Sequence, residues 1–147
     1  IVRVGTCGAL KEDIFVGDIV VAMSSATESN ISDVVPPFRL SPCCSYYMLK
    51  SFMETEGDSL LHVGQITSND NFYQEDANWG EKLARYGVLA VDMETHALYH
   101  IASRHNRQAL TVDLVSDSVV SNQKPMTPEE RSLKVDEITI RALESLT

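Results

Sequence analysis

Residues close to the start of the chain have the types and spacing of an anion site. Arg3 is followed closely by Gly5, Thr6 and Gly8. A guanidinium donates strong hydrogen bonds to phosphate oxygens, and glycines let backbone N–H groups approach the same ligand. The segment therefore predicts an anion site in a tight glycine turn. The alternative is that Arg3 lies at a strand edge and pairs with a carboxylate, which requires no ligand.

Acidic side chains that could act on a sugar or a leaving group follow two apolar runs. The tripeptide Asp92-Met93-Glu94 follows one run, and Ser116-Asp117 follows another. A carboxylate in such a place can accept hydrogen bonds from sugar hydroxyls or give a proton to a departing group. The alternative for Glu94 is the start of a helix, where acidic residues are favoured.

Strand-like and helix-like segments alternate around these residues. This alternation favours an α/β domain with helices flanking a central sheet. Ligands of such sheets gather at the carboxyl ends of the strands, so we expect the polar segments to meet there. Strands are predicted at 1–4, 14–23, 60–67, 88–91 and 109–115, and helices at 43–56, 79–86, 95–105 and from 128 onward.

The last predicted helix has the clearest local signals. The segment 127–130 reads Thr-Pro-Glu-Glu, which is typical of a capping box with proline at the first helical position. Arg131 shares a face with the apolar residues of this helix, so we expect it to point inward. Those apolar residues are Val135, Ile138, Ala142 and Leu146.

The helix predicted at 95–105 carries two histidines four residues apart. His96 and His100 could ligate a metal, but the sequence offers no evident third ligand. We therefore expect a solvated pair and no metal site. The buried stripe of this helix is predicted to consist of Ala97, Leu98, Ile101 and Ala102.

Composition narrows the class of protein. The chain has 147 residues and a net charge of -9 without a basic block, which excludes the electrostatic footprint of nucleic-acid or anionic-membrane binding. An odd number of cysteines (Cys7, Cys43 and Cys44) predicts free thiols and a cytoplasmic location. No His-Asp arrangement supports Cys7 as a nucleophile. No apolar run has the length of a membrane helix.

Taken in order, these segments resemble the nucleoside phosphorylase superfamily, and within it the bacterial-type hexameric purine nucleoside phosphorylases. The resemblance runs from the first residue to the last. It implies a three-layer α/β fold with a mixed central β-sheet flanked by helices. It also implies an enzyme that uses phosphate as co-substrate, without another cofactor, to split a purine base from a nucleoside. The matching segments are 3–9, 27–30, 70–73, 87–95, 115–117 and 127–131.

The resemblance implies a role for each matching side chain. Asp117 would be the general acid that protonates the purine at N7, with Arg131 pairing to it. Arg3, Gly5 and Thr6 would bind phosphate. The alternative for Asp117 and Arg131 is a structural ion pair without a catalytic role. The alternative for residues 72 and 73 is that they are ordinary core aromatics. The implied nucleoside-binding residues are Cys7, Gly8, Phe72, Tyr73, Val91, Asp92, Met93, Glu94 and Ser116.

The chain also departs from the family pattern. Asp92 stands where Glu is more usual, Ser118 where relatives often carry His, and Asp113 within a predicted strand where an uncharged residue is expected. The family's N-terminal glycine turn, its further phosphate-binding arginines and a His that reaches a neighbouring subunit have no counterpart here. We therefore expect one domain, 1–147, that is N-terminally incomplete and belongs to a homo-hexamer built as a trimer of dimers.

Other functions on the same fold remain open. They are a uridine phosphorylase, a hydrolytic nucleosidase and a non-catalytic nucleoside-binding fragment. Ser116-Asp117 favours purines over pyrimidines, and Arg3 with Thr6 favours phosphate over water as the nucleophile. The preference between 6-oxo and 6-amino purines stays open.

Overall fold

The computed structural model describes residues 1–32 and 35–147. Strands and helices alternate along these residues, as the sequence predicts. The strands are β1 (Val2–Ala9), β2 (Ile19–Thr27), β3 (Leu61–Ser68), β4 (Ala90–Asp92) and β5 (Leu110–Ser118). The helices are α1 (Tyr46–Met53), α2 (Trp79–Ala84), α3 (Thr95–Arg104) and α4 (Pro128–Glu144), with a 3₁₀ turn at Asn30–Ser32.

The five strands form one mixed sheet. β1 is parallel to β5, β5 is antiparallel to β2, and β2 is parallel to β3. The short β4 is parallel to β3 and antiparallel to β1, which closes the sheet into a barrel in the order β1-β4-β3-β2-β5. The predicted mixed α/β fold is confirmed, and the closure of its sheet is a feature that strand alternation along the sequence does not reveal.

Side chains of β2 alternate between two hydrophobic cores. Val20 packs in a core with Tyr99 of α3, whereas Val21 packs in another with Phe52 of α1 and Ile138 of α4. Successive strand residues point to opposite faces, so β2 carries apolar residues at consecutive positions because both of its faces are covered. Helices therefore lie on both faces of the sheet.

The glycine-rich segment near the start of the chain is strand, and the predicted turn at Gly5–Gly8 is wrong. β1 continues to Ala9, in register with β5 from Val2 onward. The pairing shifts by a β-bulge between Cys7 and Gly8. A full ladder of hydrogen bonds to a distant strand outweighs the weak strand preference of glycine.

The buried face of α3 differs from the predicted stripe. Ala102 is buried, but Ile101 is exposed, and His96 and His100 are buried where a solvated pair was expected. Nδ1 of His96 is hydrogen-bonded to the carbonyl oxygen of Ser25, 2.6 Å away, whereas Nε2 of His96 and Nδ1 of His100 are buried without a partner among the described residues. A backbone acceptor from another strand offsets part of the cost of burying the His96 ring, and apolar periodicity along the helix cannot indicate such a distant partner.

Helix α4 begins as predicted. The Thr127 side chain accepts from the Glu130 backbone N–H while the Glu130 side chain accepts from that of Thr127, which completes the capping box. Ile138 and Ala142 are buried, whereas Leu146 lies beyond the end of the helix and is exposed. Among the described residues, no helix is both long and apolar enough to cross a membrane.

The Tyr99 hydroxyl joins two strands where their pairing ends. It donates to the carbonyl oxygen of Ala22 on β2, at 2.6 Å, and accepts from the N–H of Thr111 on β5, at 2.8 Å. The ring is fully buried, so neither backbone group can turn to water instead. Tyr99 thereby fixes α3 to the β2–β5 pair.

Replacing Tyr99 by Phe should destabilise the fold. The substitution keeps the ring but leaves two buried backbone groups without a partner, so we expect the free energy of unfolding to fall by about 1 to 3 kcal/mol. Urea denaturation followed by circular dichroism measures the change. Tyr86→Phe, at an exposed ring, is the matched control. Equal small effects of the two substitutions would contradict the bridging role.

Candidate active site

A cavity of about 580 Å³ lies against β1, β4 and β5. This volume is within the range of small-molecule sites. The cavity collects segments that lie far apart in the sequence, from the first strand to the second turn of the last helix. Its lining residues are Arg3, Thr6, Cys7, Gly8, Asn69, Asn71, Phe72, Trp79, Val91, Asp92, Met93, Glu94, Ser116, Asp117, Val119, Pro125, Met126 and Arg131.

Nearly all the residues singled out from the sequence lie at this cavity. Among the phosphate-binding, nucleoside-binding and catalytic residues that the resemblance implies, Gly5 and Tyr73 are the two that do not line it. The strand directions differ from the expected arrangement, because β4 runs opposite to β1 and β5 and Arg3 lies near the amino end of β1. The polar segments therefore meet along β1, and not at one edge formed by carboxyl ends of strands.

Six lining residues were not identified from the sequence. Most of them flank recognised segments, so proximity in sequence to the segments 70–73, 115–117 and 127–131 is the signal that could have found them. Trp79 carries no such signal, since it begins helix α2 and reads as an ordinary helix residue. These residues are Asn69, Asn71, Trp79, Val119, Pro125 and Met126.

Gly8 brings the acidic end of β5 next to β4. It pairs with Val91 on one side and with Asp117 on the other. A Cβ atom added to Gly8 would lie 3.3 Å from Oδ2 of Asp117 and 3.2 Å from a methyl of Val119. Glycine at this position leaves the space in which the Asp117 carboxylate faces the cavity.

The guanidinium of Arg3 is surrounded by carboxylates. Nη1 donates to Oδ1 of Asp113, Nη2 donates to Oε2 of Glu94, and Oδ2 of Asp92 lies 3.5 Å from Nη1. Burial lowers the pKa of Arg3, but the three carboxylates outweigh burial and the pKa is raised. The ion pairs that the sequence left as an alternative are thus present, and phosphate binding by Arg3 stays a prediction.

Gly5 accommodates the folded side chain of Arg3. A Cβ atom at Gly5 would lie 2.5 Å from Nη1 of Arg3, closer than any real contact of that kind. The guanidinium therefore packs over the bare backbone of its own strand. Gly5 acts on the cavity through Arg3 and does not line it.

Asp92 is committed mainly to the junction between β4 and α3. Oδ1 accepts from the hydroxyl of Ser68, while Oδ2 accepts from the hydroxyl of Thr95 and from its backbone N–H, at 3.0 Å. All of these groups are buried. Asp92 thereby fixes the start of α3 and, with it, the positions of Met93 and Glu94 at the cavity.

The loop that carries Phe72 and Tyr73 is held in place by the carboxylate of Glu28, which directly follows β2. Oε1 of Glu28 accepts from the backbone N–H groups of Asp70 and Asn71, at 3.1 and 3.3 Å. Phe72 and Tyr73 then stand edge to face, with ring centroids 5.0 Å apart. The rings are 74% and 88% exposed, so they are not the core aromatics of the alternative interpretation.

The predicted acid pair, Asp117 and Arg131, lines the cavity, but the two side chains do not contact each other as an ion pair. Asp117 is half-buried and accepts a hydrogen bond from the Ser116 hydroxyl at 2.7 Å. The Met126 N–H donates to the carbonyl oxygen of Ser116, at 2.9 Å, which returns the chain to the cavity just before α4. Arg131 lines the cavity from an exposed position, where an inward-pointing side chain was expected. Among the described residues, no ion pair joins it to Asp117.

Metal and thiol chemistry find little support in the described part of the chain. No group of three or more His, Cys, Asp or Glu side chains in it is arranged to hold a metal ion. The Cys7 thiol is buried, and burial together with Asp113, Asp92 and Asp117 raises its pKa well above the usual value. A thiolate nucleophile is therefore disfavoured at this position.

Sequence comparison identifies the class to which this fold and cavity belong. The family profile described as "Phosphorylase superfamily" matches residues 1–146. The chain belongs to this superfamily, and the resemblance predicted from its motifs is confirmed.

Several similar curated proteins carry the same name. "Purine nucleoside phosphorylase DeoD-type" of Bacillus cytotoxicus is 39% identical over 99% of this chain and 63% of its own length. The protein of that name from Geobacillus stearothermophilus is 41% identical over 99% of this chain and 62% of its own length. The protein of that name from Bacillus subtilis strain 168 is 38% identical over 100% of this chain and 64% of its own length. The chain thus spans slightly less than two thirds of the length of these relatives.

Thiol labelling should separate the cysteines by burial. Cys43 is exposed and Cys7 is buried with a raised pKa, so we expect iodoacetamide at pH 8 to alkylate Cys43 and spare Cys7 in the folded protein. Peptide mass spectrometry reads the two sites separately, and labelling in urea should reach both. Rapid labelling of Cys7 in the folded protein would show that the cavity wall is more open than described.

Proposed function

We propose that the protein containing this chain is a purine nucleoside phosphorylase. It would cleave the N-glycosidic bond of purine ribo- and deoxyribonucleosides with phosphate, reversibly, to give the free base and (deoxy)ribose 1-phosphate. The observation that carries the proposal is the convergence of Arg3, Glu94, Asp117 and Arg131 on one cavity. The names of the curated relatives support the same reaction.

The proposed reaction divides into three tasks. A phosphate oxygen held by Arg3 and Thr6 attacks C1′ of the sugar, while the bond from C1′ to the base nitrogen breaks and its electron pair leaves with the base. Asp117 gives its proton to N7, so that the base departs neutral, and Arg131 would stabilise the resulting carboxylate. Glu94 would accept hydrogen bonds from the ribose hydroxyls as positive charge develops on the sugar.

Aromatic side chains of the cavity are suited to binding the purine base. Phe72 lines the cavity and is held at its position by the loop that Glu28 fixes. A flat purine stacks on an exposed ring of this kind without needing a specific polar group. Trp79 and Met93 offer further apolar surface in the same cavity. This part of the proposal does not discriminate inosine from adenosine.

The charge of the cavity bears on the phosphate step. Its lining carries Arg3 and Arg131 as cations against the carboxylates of Asp92, Glu94 and Asp117. A phosphate dianion would have to replace Glu94 on Nη2 of Arg3, and further cations would favour its binding. We propose that such cations come from outside these residues, from the rest of the protein or from a neighbouring copy in a homo-hexamer arranged as a trimer of dimers. A cytoplasmic location, which suits free cysteines, belongs to the same proposal.

A hydrolytic nucleosidase on the same fold is the second candidate. It is favoured by the pairing of Arg3 with three carboxylates, because a site that already neutralises its arginine suits water better than a dianion. The two candidates share Asp117 and Glu94 and differ in the nucleophile.

The deciding experiment measures cleavage of inosine and adenosine by the full-length protein, with and without phosphate. We expect release of free base and ribose 1-phosphate only when phosphate is present, and the ratio of the two rates gives the base preference. Release without phosphate would support the nucleosidase. Absence of purine release, followed by a test with uridine, would leave a uridine phosphorylase or a nucleoside-binding protein.

Asp117→Asn tests the proposed acid. The amide keeps the size and the contact with Ser116 but has no proton of suitable acidity to give, so we expect kcat for inosine to fall about a hundredfold or more. The dissociation constant of inosine, measured by calorimetry, should change little. Asp136→Asn, at an exposed position on α4, is the control. Unchanged turnover in Asp117→Asn would remove this residue from the acid role.

A further inference from the structure

Asp113 is a buried carboxylate that the proposed reaction does not use. It lies in the middle of β5, is 1% exposed and does not line the cavity. Its Oδ1 accepts from Nη1 of Arg3, and its Oδ2 is buried without a partner in the described part of the chain. Burying a carboxylate with one oxygen unsatisfied costs free energy. Burial raises the pKa of Asp113 well above its usual value and Arg3 acts against this shift, so the negative charge of Asp113 depends on its contact with Arg3. A strand position that an apolar residue could fill therefore carries a carboxylate that needs a reason.

The three carboxylates around Arg3 are engaged differently. Asp92 is held by Ser68 and Thr95 whether or not Arg3 is present. The Glu94 side chain is 59% exposed and can exchange Arg3 for another partner. Asp92 and Asp113 are both buried beside Arg3, but only Asp113 has Arg3 as its hydrogen-bond partner among the described residues. The charge of Asp113 therefore acts on the cavity through this arginine.

We propose that Asp113 sets the affinity of the site for phosphate, because it partly neutralises Arg3 from a buried position outside the cavity. Asp113 is a positioning residue, since it touches the guanidinium and no ligand. The inference rests on the proposed function, in which Arg3 binds phosphate.

The geometry divides the guanidinium into a fixed end and an exchangeable end. β1 and β5 are paired with Gly5 opposite Asp113, and the absent Cβ of Gly5 lets the Arg3 side chain fold over the strand onto that carboxylate. Nη1 is thereby fixed to Asp113, while Nη2 reaches Glu94 at the cavity. A phosphate that replaces Glu94 meets an oriented donor.

The Asp113 carboxylate also weakens the electrostatic attraction between Arg3 and a bound phosphate. Its negative charge stands directly behind the guanidinium, in surroundings where charges are poorly screened. A dianion at Nη2 is attracted by Arg3 and repelled by Asp113 at a slightly greater distance. The position of the donor is thus maintained at the expense of affinity, which favours exchange of phosphate and departure of a sugar phosphate.

Substitution of Asp113 by Asn separates charge from position. The amide oxygen can still accept from Nη1, so Arg3 keeps its orientation while the opposing charge is gone. In the full-length protein we expect the calorimetric dissociation constant of inorganic phosphate to fall by about fivefold or more. The KM for phosphate should fall with it, while the dissociation constant of inosine without phosphate stays within about twofold. Asp113→Ser, which also removes the charge and is smaller, should shift phosphate binding in the same direction.

Asp18→Asn is the matched control. Asp18 is a largely buried carboxylate paired with His62, and it lies away from the cavity. Its substitution should leave both phosphate constants unchanged. Tighter binding of phosphate is not a result that loss of fold stability can produce, so the direction of the shift discriminates a tuning role from a structural one.

Two results would overturn the inference, and they differ from failure of the proposed function. In an unaltered protein that cleaves nucleosides with phosphate, equal or weaker phosphate binding by the folded Asn and Ser variants would show that Asp113 does not limit affinity. A phosphate constant that fell equally in Asp18→Asn would assign the effect to net charge alone. If the unaltered protein neither binds nor needs phosphate, the proposed function itself fails and this inference fails with it.

Discussion

The parallel ladder between β1 and β5 is the constraint on which the cavity depends. It places Gly5 opposite Asp113 and, after a one-residue bulge, Gly8 opposite Asp117. Without this register, Arg3 would lose its hydrogen bond to the buried Asp113 and the acidic end of β5 would not face β4. Each of the two glycines admits a side chain from a neighbouring position, so their contribution to the site is steric.

Local signals predicted what depends on local interactions. The capping box at 127–130 fixes the beginning of α4 within one turn of chain, and the structure has it where the sequence predicts it. Most of the cavity lining was also predicted, but this came from a family resemblance in which six short segments occur in the right order. Residue chemistry alone left Arg3 divided between an anion site and an ion pair.

Features that depend on distant pairing could not be predicted. Gly5–Gly8 reads as a turn because the partner that makes it a strand lies more than a hundred residues away. His96 reads as exposed because the carbonyl group of Ser25 that is hydrogen-bonded to its Nδ1 belongs to a strand far away in the sequence. In both cases a polar or flexible segment forms hydrogen bonds to a partner residue that lies far away in the sequence, so the local sequence does not reveal them.

Closure of the barrel distributes stiffness unevenly around the sheet. The β1–β5 ladder runs the full length of Val2–Ala9, whereas β4 closes the ring with only Ala90–Asp92. A short seam has few hydrogen bonds to resist shear, so deformation of the barrel concentrates there. Val91 and Asp92 of this seam also form part of the cavity wall. The wall that a ligand meets is therefore held by the shortest strand of the ring, and because Ala90 of that strand packs in a hydrophobic core, a shift of the wall would be transmitted to that core.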